Sequence, residues 1–112
     1  MPRIVGRTKA AEMILLGVRV DAESALACGL VNSIASDGGA LAAGLALAAR
    51  IGAQGSIAVR YAKEAILRGL DMPLEQALRY ETDLTVILQT TDDRAEGVRA
   101  FLEKRAPHFE GR

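Results

Sequence analysis

Apolar residues recur along this chain at helical spacing, and glycine, proline and short polar residues punctuate the pattern. A first helix is expected over 8–16, with Thr8 as its N-cap and Gly17 as its stop. A second starts at Asp21, a good N-cap, and runs to Gly29, the expected left-handed terminator. Residues 30–34 are short and β-branched at Val31 and Ile34, so they read as at most one short strand, with no sheet partner elsewhere in the chain. Asp37-Gly38-Gly39 reads as a turn. The helix expected over 40–51 is apolar on nearly every side except at Arg50, which predicts burial. Ser56 is expected to cap a helix over 57–68 that ends at Gly69, with Ile57, Tyr61 and Ala65 on one face and Arg60, Lys63 and Glu64 toward solvent. Pro73 suits the start of the next helix, where Leu74, Ala77, Leu78, Glu81, Leu84 and Leu88 trace one face. Thr90 with Asp93 resembles a capping box for a last helix carrying Ala95, Val98, Phe101 and Leu102; Pro107 stops it, and 107–112 reads as a tail.

Composition adds restraint to this mainly α reading. Twenty of the 112 residues are alanine, and only Tyr61, Tyr80, Phe101 and Phe109 are aromatic. Alanine favours helices and close packing but buries little area per residue, so a chain of this size has difficulty stabilising itself alone. It is expected to be an oligomer or part of something larger. Fourteen basic and fourteen acidic side chains give zero net charge, which argues against a nucleic-acid partner held by phosphate neutralisation. After Gly29 no basic recognition helix follows, which also removes a helix-turn-helix reading. Arg7 and Lys9 interrupt any signal-peptide core, and the longest apolar run, over 40–49, is far shorter than the roughly 20 residues a membrane span needs. The expected location is cytoplasmic, with no membrane partner.

Few residues offer chemistry. Cys28 lies at a helix C-terminus, the negative end of the helix dipole, and reads as a small packed residue. His108 has no Ser, Cys or Asp patterned with it and reads as an exposed tail residue. No spacing of His, Cys, Asp or Glu suggests a metal site, and the glycine pairs lack the partners of phosphate-loop or dinucleotide fingerprints. The carboxylates Asp92, Asp93 and Glu96 sit where a helix start favours negative charge. Lys104-Arg105 suits the dipole at a helix end, or else a phosphate-bearing ligand.

Several phrases occur together in one order. They are Pro2-Arg3-Ile4-Val5-Gly6-Arg7, Ala11-Glu12-Met13-Ile14-Leu15-Leu16-Gly17, Asp21-Ala22-Glu23 and Gly29-Leu30-Val31-Asn32. Ser56-Ile57-Ala58-Val59 with Ala62-Lys63-Glu64-Ala65, Thr91-Asp92-Asp93-Arg94-Ala95-Glu96-Gly97, and Ala100-Phe101-Leu102-Glu103-Lys104-Arg105-Ala106-Pro107 continue the series. In this order they resemble the second half of the crotonase family, the enoyl-CoA hydratases and isomerases.

That resemblance implies the helical C-terminal region of the crotonase (ClpP/crotonase-like) fold, with 1–36 as the last part of the spiral core and 37–112 as a helical trimerisation and lid region. The strand near 30–34 would find its partners upstream. The family stabilises a thioester enolate in an oxyanion hole and, in hydratases, activates water with two glutamates. Those features belong to an early loop, a Gly-Gly-x-Glu helix start and a Pro-Glu motif, and this sequence contains neither of the two motifs. No catalytic residue is therefore carried over, and Glu12, Glu64 and Glu81 do not fill the vacancy. What carries over concerns binding: a neighbouring subunit's closing helix lends a Phe to the acyl pocket and a Lys to the CoA phosphates, and the matching positions are Phe101 and Lys104. The expectation is a C-terminal part of an enzyme acting on acyl-CoA thioesters, inactive alone, with no cofactor beyond the coenzyme A of the substrate. Its expected partners are sister subunits in a trimer or dimer of trimers. The alternatives are a non-enzymatic helical oligomerisation module and a standalone CoA binder.

Overall fold

The computed structural model describes all 112 residues. It is 65% helical and contains no β-strand. The helices are α1 (Pro2–Val5), α2 (Arg7–Leu16), α3 (Ala22–Ala27), α4 (Ala40–Gly52), α5 (Ser56–Gly69), α6 (Leu74–Leu88) and α7 (Asp92–Leu102). They fall into two compact units, Met1–Leu45 and Ala46–Arg112, with α4 beginning in the first and ending in the second.

The first unit is built from local hydrogen bonds. Pro2 opens α1, a turn that the sequence pattern missed, and Gly6, at φ 82°, passes the chain into α2. Thr8 lies inside α2 rather than capping it, because the helix already starts at Arg7. Gly17 is left-handed, as expected, and its N–H donates to the Met13 carbonyl. Asp21 caps α3 by accepting the Ser24 N–H at 2.7 Å. Beyond α3, Gly29 N–H donates to Leu26 C=O and Leu30 N–H to Ala25 C=O, closing a Schellman turn on a left-handed glycine. Residues 30–34 form no strand, since no second strand is present to share a ladder. Only Ala10, Met13 and Ala25 are buried here.

Helix α4 overturns one expectation. It is apolar, yet every residue is exposed, Leu41 and Leu45 among them. Its composition specifies a buried helix, but no residue of it is buried in this chain.

The second unit has tertiary packing. The link after Gly69 returns the chain so that α6 runs back along α5: Ala77 lies beside Gly69, and Tyr80 reaches Glu64. The groove between them holds about 520 Å³ and is lined by the predicted face of α6, including Leu74, Ala77, Leu78, Leu84 and Leu88. Leu84 is buried, and covering a side chain of that size contributes about 2 kcal/mol. Three local expectations fail here. Gly55, not Ser56, is the N-cap of α5, although the helix ends at Gly69 as expected. Glu64 is half-buried against Tyr80 rather than solvated. Thr91, not Thr90, caps α7, its hydroxyl accepting the Arg94 N–H at 3.2 Å.

Candidate functional site

Helix α7 and the residues after it carry the densest polar arrangement in the chain. The helix ends at Leu102, five residues before Pro107. It ends early because the backbone turns left-handed at Lys104, the only non-glycine residue with positive φ (54°). Lys104 N–H donates to Phe101 C=O at 3.2 Å, and Arg105 N–H donates to Ala100 C=O at 3.0 Å. Those two bonds are a Schellman turn with lysine where glycine is usual.

Residues 105–112 then return along α7. Glu96 receives the Arg105 guanidinium on both oxygens, at 2.5 and 2.9 Å, and the His108 backbone N–H at 3.0 Å. The Arg105 bonds, followed by the His108 N–H, hold the Glu96 carboxyl down to about 2 from its ordinary 4.5. Arg105 also donates to Glu103 at 2.6 Å, and its own pKa is raised, first by Glu96 and then by Glu103.

One turn before Glu96, the buried Asp93 accepts the Glu110 N–H at 2.7 Å and the Gly111 N–H at 3.0 Å. Its own N–H donates to the Arg112 carbonyl at 3.0 Å. Two of the three carboxylates read as helix-start charges, Asp93 and Glu96, are thus anchors for a strap. Asp93 does not complete a capping box, because with Thr91 as the cap it stands one position short of the third helical residue, and its oxygens face the tail.

Phe109 lies over Gly55 and Gly97, within van der Waals reach of a Cβ at either position. It closes one side of a cavity of about 410 Å³ that Ile57, Leu88, Val98 and Phe101 also line. Phe101 is 82% exposed. The two residues singled out from the sequence, Phe101 and Lys104, therefore lie within one turn of each other at the end of α7: an exposed aromatic ring, then an exposed lysine.

The remaining candidates are dispersed over the chain. Glu12 pairs with Lys9 at 3.1 Å. Glu64 accepts the Tyr80 hydroxyl at 2.5 Å, which is the main reason the Tyr80 pKa is raised. Glu81 lines the α5–α6 groove. Cys28, half-buried, donates weakly to Ala25 C=O at 3.5 Å. His108 is exposed, as expected. No three His, Cys, Asp or Glu side chains are grouped as metal ligands. No single helix is long and apolar enough to cross a membrane.

Sequence reading missed the strap. Its traces there are Asp93 and Glu96 at one-turn spacing and the aromatic Phe109 in an otherwise polar tail.

Comparison with known proteins places this geometry in context. The family model described as enoyl-CoA hydratase/isomerase matches residues 1–112. An (E)-benzylidenesuccinyl-CoA hydratase from Thauera aromatica is 36% identical over 111 residues, covering 99% of this chain and 43% of the relative. A 2,3-dehydroadipyl-CoA hydratase from Escherichia coli is 36% identical over 110 residues, covering 98% and 43%. The crystal structure of an enoyl-CoA hydratase from Bacillus anthracis superposes with a TM-score of 0.93 at 37% identity, covering 99% of this chain and 43% of that one. The chain thus spans less than half the length of the relatives it matches, and it aligns with their C-terminal portion.

Proposed function

The chain belongs to the enoyl-CoA hydratase/isomerase family, and from that premise we propose that it supplies the ligand-gripping end of such an enzyme rather than its reaction centre. The substrates of the family are CoA thioesters. In this reading the complete protein hydrates or isomerises an enoyl-CoA through an enolate held in an oxyanion hole, with groups outside this sequence performing the chemistry. Phe101 lines the acyl pocket of a neighbouring subunit, and Lys104 meets the CoA phosphates as a point charge. One observation carries the reading: at the end of α7 a large aromatic side chain stands 82% exposed, one turn from an exposed lysine. An aromatic ring left in water is uncommon for a side chain that serves only its own core.

Two measurements test it. The purified 112-residue chain is expected to show no hydration of crotonyl-CoA, and substantial turnover would overturn the division of labour. Calorimetry with CoA and dephospho-CoA is expected to show weaker binding of the second, with Lys104→Ala abolishing the difference.

The exposed Leu41, Leu45, Leu47 and Ile51 of α4 favour a second reading, a helical module that assembles with copies of itself, as a trimer or dimer of trimers. Light scattering tests the assembly itself: a monomer at all concentrations counts against it.

A further inference from the structure

Lys104 occupies a conformation that its side chain does not favour. A Cβ in the left-handed region crowds the following carbonyl, so glycine takes this position in most helix ends. A non-glycine residue persists there only where its surroundings over-determine the turn. The surroundings in this case are specific. Arg105, the next residue, is held on both oxygens of Glu96, and its Nε bonds Glu103, the residue before Lys104. His108 N–H then fastens the outgoing chain to the same Glu96 carboxylate at 3.0 Å. Glu96 is mostly covered, its side chain 17% exposed, and the Arg99 guanidinium stands 3.9 Å from the oxygen that Arg105 Nη2 also bonds. Of the three charged residues 103–105, Lys104 alone has no side-chain bond in this structure: Arg105 is tied to Glu96 on the helix, and Glu103 to Arg105.

We propose that Glu96 is the positioning residue for Lys104: by holding Arg105 and His108 it keeps the left-handed turn closed and fixes the direction in which the Lys104 ammonium leaves the helix end. The inference deepens the reading of Lys104 as a phosphate contact and rests on that reading for its purpose. The geometry of the turn is independent of it. A lysine fixed at its Cα loses less freedom on meeting an anion than one on a frayed helix end. Glycine at 104 would close the turn unaided but would carry no cation.

The test uses the full 112-residue chain and two readouts. Backbone NMR reports the conformation at residue 104 and the exchange of the Arg105 amide. In Glu96→Gln that amide is expected to exchange at least about tenfold faster, while amides of the α5–α6 pair are unchanged. The double variant Glu96→Gln/Lys104→Gly is expected to recover the protection, since glycine needs no tether. CoA titration is the second readout: Glu96→Gln and Lys104→Ala each weaken binding several-fold, and the two together weaken it no further than Lys104→Ala alone. An Arg105 amide as protected in Glu96→Gln as in the parent overturns the inference. So does CoA affinity lost in Lys104→Ala but intact in Glu96→Gln. A turn that loosens as expected, with Lys104→Ala leaving CoA binding untouched, supports the positioning role and overturns the phosphate reading instead.

Discussion

Helices α3 and α7 end in the same backbone turn, with the same two hydrogen bonds around a left-handed residue, yet that residue is Gly29 in one and Lys104 in the other. Around Gly29 the bonds are local, and the nearest side-chain contact is the weak one from Cys28 back to Ala25. Around Lys104 the turn is laced by Glu96, Glu103, Arg105 and His108. The contrast extends to the units that hold them: the first is stitched by bonds between sequence neighbours, whereas the second is tied by carboxylates that reach 12 to 18 residues ahead. A turn closed by glycine is complete in itself. One closed by lysine depends on tertiary structure, and in exchange it presents a cation at a defined place.

The largest effect should come from removing the deepest of those ties. Asp93→Ala strips the bonds to the Glu110 and Gly111 N–H groups and is expected to cost about 3 kcal/mol, because charged acceptors are lost and two backbone donors lose their partners. Urea unfolding measures this, and limited proteolysis should show the tail cut first. A loss below about 1 kcal/mol would mean that the strap is incidental. Gly29→Ala is expected to cost about 1 kcal/mol, and purely through backbone conformation, since a Cβ there meets nothing within 4 Å. Lys104→Gly runs the comparison in reverse. It should stabilise the chain by roughly 0.5 kcal/mol, the relief of the turn being partly offset by the added freedom of the unfolded chain. A destabilisation would show that the lysine side chain contributes more to the fold than its conformation costs.

The smallest change in the fold, and the most diagnostic one in acid, comes from titrating Glu96. Its carboxyl is lowered in the folded chain from 4.5 to about 2, so its contribution is complete above the unfolded value and fades as pH falls through the folded one. Protection of the Arg105 and His108 amides is therefore expected to be constant from neutrality down to about pH 5 and to fall between about pH 4.5 and 2. Glu96→Gln should flatten that dependence. A profile unchanged by the substitution would assign the transition to another carboxylate.

What could be read from the sequence follows the same division. Gly17, Asp21 and Gly29 declare their roles because caps and left-handed stops are local matters, decided within four residues. The face of α6 from Leu74 to Leu88 is legible from its period. Phe101 and Lys104 could be picked out only through the ordered phrases shared with a family, since nothing local distinguishes Lys104 from any cation at a helix end. Asp93 and Glu96 were visible as acids near a helix start, which is a sufficient local explanation, and so their partners beyond Pro107 went unseen. The expected burial of 40–51 is not met, and 30–34, read as at most one short strand, forms none, for a related reason: each reading describes what a segment needs rather than what this sequence supplies.

The strap also has a consequence in time. Residues 107–112 are the last of this stretch to be synthesised, and until Gly111 emerges Asp93 lacks one of its two backbone donors. A chain interrupted a few residues early would have nearly its whole sequence, yet Phe109 would be missing from the cavity wall and a carboxylate would be left in an apolar setting. The strap thus closes only after the residues that complete it have followed α7 out, so the helix is made before its ties are.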